Sequence, residues 1–266
     1  MANISTPPVF HEQNLSYAWG HMLLDLLATP GGEKGPITVC IDGFDENDDV
    51  SEDQDIRNAL DVLLAGKEQN SIDNVAFTIF PQRIWQIAKG NREALYSFYR
   101  YSFASFRKKQ VNRCGLYFQR MTMTDPDDEK NSHNQLEYII NRHIKQHEQG
   151  RGAPRMHLTA SVHDPIRDHT NVPVPGFPCM QQVSFCPTND GLVVNATYAT
   201  QQAVRKAYGN FLGLAHLAKF MAGEMGLKLA QLNIMIGVEK IGDHRFPKSS
   251  LQNIKELIEQ KVVNGT

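Results

Sequence analysis

Apolar residues recur along the chain with two periods, one helical and one strand-like. Their mixing predicts an α+β architecture. Residues 15–27 (LSYAWGHMLLDLL) gather apolar side chains as an amphipathic helix does, and TPGGEKGP stops it. The short β-branched run ITVCI, residues 37–41, predicts a strand. DENDDVSEDQD, residues 45–55, is acidic and aperiodic. It predicts a solvated loop running into a helix, because it lacks the glycine and closing glutamate that an EF-hand places at fixed positions. A helix follows at 56–66 and a strand at 75–80 (VAFTIF). A short helix at 81–88 has proline at its start, and an aromatic-rich helix spans 92–109, its aromatic stripe assigned to the core. Residues 112–121 (NRCGLYFQRM) predict a strand, 134–147 a helix and 156–162 a strand.

Two β-rich runs then flank Asp190-Gly191, a strong hairpin signal because glycine accepts the positive φ of the turn. Residues 202–227 form a long helix that is apolar on more than one face, as buried helices are. A strand at 231–241 and a helix at 249–262 with a serine cap complete the chain. A central hairpin among mixed elements predicts a mixed sheet packed with helices in one domain over residues 1–266, not a strict βαβ winding. Neither GxGxxG nor a P-loop is present, which removes support for dinucleotide and P-loop folds.

With 266 residues and a formal charge of −2, the chain can bury a large core, and its charge does not point to nucleic acid or an acidic membrane. Its four cysteines (Cys40, Cys114, Cys179 and Cys186) form no CxxC pair, so a disulfide framework or structural zinc is not expected. There is no basic start followed by an apolar stretch, nor any run as long as a membrane span. A reduced, cytoplasmic protein is the expectation, in which Asn-x-Ser/Thr triplets carry no glycan meaning.

The candidate chemistry centres on PGFPCMQQVSF. Pro178 removes a backbone donor and restricts the chain before Cys179, which can set a thiol at a strand start facing a cavity. The residues alone leave two readings open, a packed core thiol or an ionisable nucleophile. His143 and His147, four apart on one helix, have the spacing of two metal ligands, and His163, Asp164, Asp168 and His169 cluster in a loop. Solvated surface groups are the preferred reading for both sets.

The order of features from residue 134 to residue 241 resembles the thymidylate synthase and deoxycytidylate hydroxymethylase superfamily. NQLEYIINRHI matches the family's Asp-Gln-Leu helix, SVHDP its Asn-Pro phrase, GFPCM its cysteine motif and DGLVVNATY its hairpin. GNFLGLAHLAKFMAGEMGLKLAQLNIMIG matches the buried helix and the approach to the last strand, and GLYFQRM resembles a Tyr-Gly-x-Gln-Trp-Arg strand. The resemblance implies a thymidylate-synthase-like fold and a homodimer. It implies Cys179 as a nucleophile for C6 of a pyrimidine and Asn210 as reader of the base edge. It also implies substrate contacts at Tyr117, Arg120, Gln202 and Arg155, with 5,10-methylenetetrahydrofolate as one-carbon donor. Without the resemblance, Asn210 reads equally well as a cap or turn residue beside Gly209.

The departures bear on the substrate. A gapless alignment from Leu192 puts Ala199 and Thr200 where the family grips phosphate with Arg-Ser, and Gln202 where it has Asp. Lys240 and Gly242 stand in for its ribose-holding His and Tyr, Arg155 is the one remnant of an arginine pair donated across the dimer, and Met180 replaces the His after the cysteine. Arg83 stands where a general acid–base glutamate is expected. Missing arginine forks argue against standard deoxyuridylate. Arg205, Lys206, Lys240 and Arg245 are either a rebuilt anion site or solvated surface cations. Three functions follow: a one-carbon transferase acting on C5 of another pyrimidine nucleotide or nucleoside, a non-catalytic binding or scaffold protein that keeps the fold, or a Cys-His hydrolase using His163 or His216.

Overall fold

The computed structural model describes residues 6–109, 112, 115–128, 132–152, 154–169, 177–242 and 244–263. Cys114 and Gly176, both part of the sequence readings above, lie outside them.

A mixed sheet organises the chain. In chain order its strands are β1 (Val9–Glu12), β2 (Glu33–Lys34), β3 (Ile37–Ile41), β4 (Thr159–Ser161), β5 (Met180–Thr188), β6 (Gly191–Gln202) and β7 (Leu229–Lys240). The spatial order is β1-β3-β7-β6-β5-β4, with β2 also on β7. β1 runs parallel to β3 and β6 parallel to β7, while the other neighbours are antiparallel. One sheet face carries Val39, Ile41, Val183, Phe185, Val194, Ala196, Ile234 and Ile236, all fully buried or nearly so. The opposite face is part-exposed and polar. Asn233 there donates to Asn195 Oδ1 at 2.9 Å, and Met235 is 43 % exposed.

Helices pack on the apolar face and on one another. They are α1 (Leu15–Ala28), α2 (Gln54–Ala65), α3 (Ile72–Phe77), α4 (Gln82–Ala88), α5 (Arg92–Phe106), α6 (Tyr117–Thr122), α7 (Gln135–Glu148), α8 (Pro165–Asp168), α9 (Tyr208–Glu224) and α10 (Gln252–Ile258). One apolar cluster runs from Leu15 to Val262, so both ends of the described chain share a core. α9 is buried around most of its circumference, as its sequence predicts. No described helix is long and apolar enough to cross a membrane.

Two predicted strands are helices. Residues 75–80 fall on α3 and the turn after it. Ser71 caps α3 by accepting from the Asn74 N–H at 3.3 Å. α3 then lies directly on α9, where Gly209 and Gly213 leave no side chain in the way. A Cβ at Gly213 would lie 2.7 Å from the Ala76 carbonyl oxygen. Residues 117–121 of the second fall in α6, whose Phe118, Gln119, Arg120, Met121 and Thr122 are all buried. With nothing of a solvent face, neither period is visible there. The expected serine cap is also absent. Ser250 sits in a 3₁₀ turn, donating to Pro247 O at 2.8 Å, and Leu251 precedes α10. The strand predicted at 156–162 shrinks to β4, after a 3₁₀ turn at Arg155–His157.

The acidic loop is docked as well as solvated. Asp45 accepts the Asn47 and Asp49 N–H groups at 2.8 Å each, Asp48 accepts from Leu229 N at 3.0 Å, and Lys219 of α9 reaches Asp49 at 2.6 Å. Asp53 then caps α2. A second set of bonds fixes the start of α9. Trp19 Nε1 donates to Ala203 O at 2.8 Å, and the Ser16 and Tyr208 hydroxyls meet at 2.6 Å. The π-helical turn Ala203–Ala207, which links β6 to α9, is thus held against α1.

Candidate functional site

Cys179 sits just before β5. Its carbonyl accepts the Ala199 N–H at 2.9 Å, which pins it to β6, and the strand bulges between Met180 and Gln182. The thiol is half-buried at the wall of a cavity of about 520 Å³. That volume suits a small ligand. Asn210 lines the same cavity from α9, Tyr117 and Arg120 line it from α6, and Gln202 from β6. These residues are far apart in sequence, and the start of β5, the end of β6 and two helix starts bring them together.

Asn210 is 3 % exposed and lies inside α9, not at its cap, which Ala207 occupies. A cap role is therefore excluded. Arg120 has a structural task beside any binding one. Its guanidinium forms a fork on Asp168, at 2.7 and 2.8 Å, and also reaches Val162 O at 3.0 Å. Burial pushes the Tyr117 hydroxyl well above its ordinary range, and the nearby Cys179 adds to this. Arg155 is not brought to the cavity of its own chain. It donates to Pro187 O at 3.3 Å, near the hairpin end of β5.

The cations that sequence reading left open separate. Arg205 and Lys206, on the π-helical turn, and Lys240, at the end of β7, all line the cavity, and Arg245 is not in its lining. Burial and the adjacent Arg205 press the Lys206 ammonium below its ordinary range, while Cys179 opposes this. Burial in turn raises the Cys179 thiol, Lys206 lowers it, and Glu239 raises it further. The net effect leaves the thiol above its ordinary range, with Lys206 the cation that offsets part of the burial. Sequence reading missed Gln201, Glu239 and Thr78. The last lines both this cavity and a second of about 650 Å³, and the two also share Asn70, Asn112 and Leu116. Phe77, Phe80 and Phe106 give that second compartment an aromatic wall, and Arg83 lines it too.

Among the described residues that line the Cys179 cavity, none is a histidine. His216 is in the second compartment, with its imidazole lowered to about 4 by burial. The His163 ring lies tilted to those of His169 and Phe177, at 5.4 and 5.8 Å between centroids. His143 and His147 lie with rings 6.3 Å apart, and among the described residues no group of three or more His, Cys, Asp or Glu side chains is arranged for a metal.

No protein-family profile matches the chain, and no curated protein sequence matches it.

Proposed function

We propose that the chain is a thymidylate-synthase-like transferase that moves a methyl or hydroxymethyl group to C5 of a pyrimidine. The observation that carries this reading is the convergence of Cys179 and Asn210, with Tyr117, Arg120 and Gln202, on one cavity of ligand size. In this reading the Cys179 Sγ adds to C6 of the ring. The C5=C6 electron pair shifts toward C4–O4, and C5 becomes nucleophilic. The Asn210 amide donates and accepts at once and holds the N3 and O4 edge where that charge develops. Lys206 offsets part of the burial that holds the Cys179 thiol above its ordinary range, and so favours its ionisation.

The aromatic wall of the adjoining compartment suits a flat reduced folate, with Thr78 and Asn70 at the passage between the two cavities. When bound, such a folate supplies the one-carbon unit. Arg205 and Lys206 give the first cavity two cations in place of the family's phosphate arginines, and Lys240, which also lines it, is paired with Glu33 at 2.9 Å. This favours a phosphorylated pyrimidine held in a different geometry from deoxyuridylate in that family. The polar, part-exposed sheet face is the surface we assign to a homodimer, across which Arg155 would be offered to the partner's site.

The test is a product assay. Uracil- and cytosine-based ligands, each as base, nucleoside and monophosphate, are incubated with the protein and methylenetetrahydrofolate, and the product mass is read. One substrate gaining one carbon, with loss of product in Asn210→Ala, supports the reading. No product and no rise in melting temperature with any of them would sink it in favour of a binding or scaffold protein. Lys206→Met is expected to weaken the monophosphate about tenfold while sparing the nucleoside, because one charge-assisted bond is removed. Equal weakening of both by calorimetry would place the phosphate elsewhere. Replacement of His216 is expected to leave the adduct chemistry intact, whereas its loss would favour a Cys-His hydrolase.

A further inference from the structure

The end of β6 departs from alternation as it reaches the cavity. Val194, Ala196 and Tyr198 are buried in turn, and the next buried side chain is Gln201, where alternation would have Thr200. β7 slips with it, from Ile234 and Ile236 to Glu239, so Gln201 stands opposite Glu239 in register. Gly237 lies at the slip, and a Cβ there would be 2.7 Å from the Ala199 carbonyl oxygen. The slip puts a carboxamide in the wall of the Cys179 cavity, at a residue only 3 % exposed.

Neither Nε2 nor Oε1 of Gln201 has a hydrogen-bond partner among the described residues. The Glu239 carboxyl and the Tyr198 hydroxyl, both buried, are without one as well, so neither takes up the amide. Unpaired buried amides are costly and uncommon. In the wall of a ligand-sized cavity, such a group matches a ligand that brings both an acceptor and a donor. The transferase reading narrows what these are. With C6 of the ring at Cys179 and its N3 and O4 edge at Asn210, one polar ring atom remains, O2, and it only accepts. N1 carries the sugar, so the donor is a sugar hydroxyl, and the hydroxyl beside O2 is the 2′-hydroxyl. One carboxamide spans the two, Nε2 donating to O2 and Oε1 accepting from the 2′ O–H. The sugar needs such a partner. Gly242 has no side chain where the family has Tyr, and Lys240, in place of the family's His, is paired with Glu33 at 2.9 Å.

We propose that Gln201 is a specificity-determining residue that reads O2 and the 2′-hydroxyl together, so that the cavity takes a pyrimidine ribonucleotide in preference to its 2′-deoxy counterpart. The assignment rests on the transferase reading, which orients the ring. A 2′-deoxy sugar brings no donor to Oε1 and leaves it buried and unpaired. A site built to hydrogen-bond a hydroxyl rejects the analogue that lacks it for this reason.

Calorimetry of the full chain tests this with four ligands: uridine and cytidine 5′-monophosphates and the 2′-deoxy form of each. The parent protein is compared with Gln201→Met, which keeps the length of an unbranched side chain and removes the amide. The parent is expected to hold the better of the two ribonucleotides about tenfold more tightly than its 2′-deoxy form, the worth of one hydrogen bond to a buried partner. Gln201→Met is expected to bring that ratio to about one. Should Gln201→Met not fold, Gln201→Asn, one methylene shorter, takes its place with the same expectation. Equal or tighter binding of the 2′-deoxy form by the parent overturns the proposal and leaves the transferase reading standing. A ribose preference that survives the substitution overturns it too, because another group then reads the hydroxyl. Binding of none of the four counts against the transferase reading itself, and the assignment of Gln201 falls with it.

Discussion

Arg120→Leu is expected to lower stability by about 3–5 kcal/mol, the cost of breaking a buried ion pair from one side. Arg120 and Asp168 are each 4 % exposed at the side chain, and their contact is a two-bond fork. Removing the guanidinium leaves a carboxylate whose one other bond among the described residues is to the Asp164 N–H at 2.9 Å. It also frees the Val162 carbonyl, so α6, β4 and α8 lose their common tie. Asp168→Leu added to Arg120→Leu is expected to recover most of the loss, because no charge is then stranded. The pH dependence follows from the direction of the Asp168 shift. Burial alone would raise its carboxyl, but the Arg120 fork and the Asp164 N–H outweigh burial and hold it below the ordinary range. A depressed folded value means that the stabilisation is complete above the unfolded Asp value and is lost as pH falls through the folded one. Urea midpoints measured across that acidic window should fall less steeply in the double variant. A parent and double variant with equal slopes would contradict the assignment.

Gly213→Ala is expected to destabilise by about 1–3 kcal/mol, although alanine is the better helix former by about 1 kcal/mol. The added Cβ meets backbone, at 2.7 Å from Ala76 O and 3.0 Å from Ala76 Cα, so no side chain can rotate out of the way. Gly209 is as tightly set, 2.6 Å from Val75 Cβ and 2.8 Å from Ile72 O. α3 and α9 must separate to admit either methyl group. Because α3 contributes Val75 to the cavity, the turn after it Thr78, and α9 Asn210, the same displacement should weaken ligand binding. A thermal melt showing Gly213→Ala at or above the parent melting temperature would contradict the packing described.

Amphipathic helices with one solvent face were legible from periodicity, α1, α2, α5 and α7 among them, as was the turn at Asp190-Gly191. Residues 75–80 were not, because a short apolar run of β-branched and aromatic residues has no period to read. The deciding feature, the Gly209 and Gly213 surface of α9, lies far away in sequence. α6 was hidden for the opposite reason: it is buried on all sides, including Gln119 and Arg120. The resemblance named Cys179, Asn210, Tyr117, Arg120, Gln202 and Arg155 as candidates; the first five line one cavity, and Arg155 does not. Glu239 was beyond sequence reading. Alternation from Ile234 and Ile236 turns it outward, and its burial comes with a phase slip at Gly237, where the Ala199 carbonyl comes too close to admit a Cβ.

The most direct measurement of the central claim is intact-protein mass after incubation with 5-fluoropyrimidines and methylenetetrahydrofolate, with Cys179→Ala alongside. C5 of such a probe carries fluorine in place of the hydrogen that must leave, so an addition at C6 is trapped. The account predicts a stable mass gain equal to probe plus folate, mapped to Cys179 and absent from Cys179→Ala. Equal labelling of parent and variant, or no labelling by any base, nucleoside or monophosphate, would contradict Cys179 as a pyrimidine nucleophile.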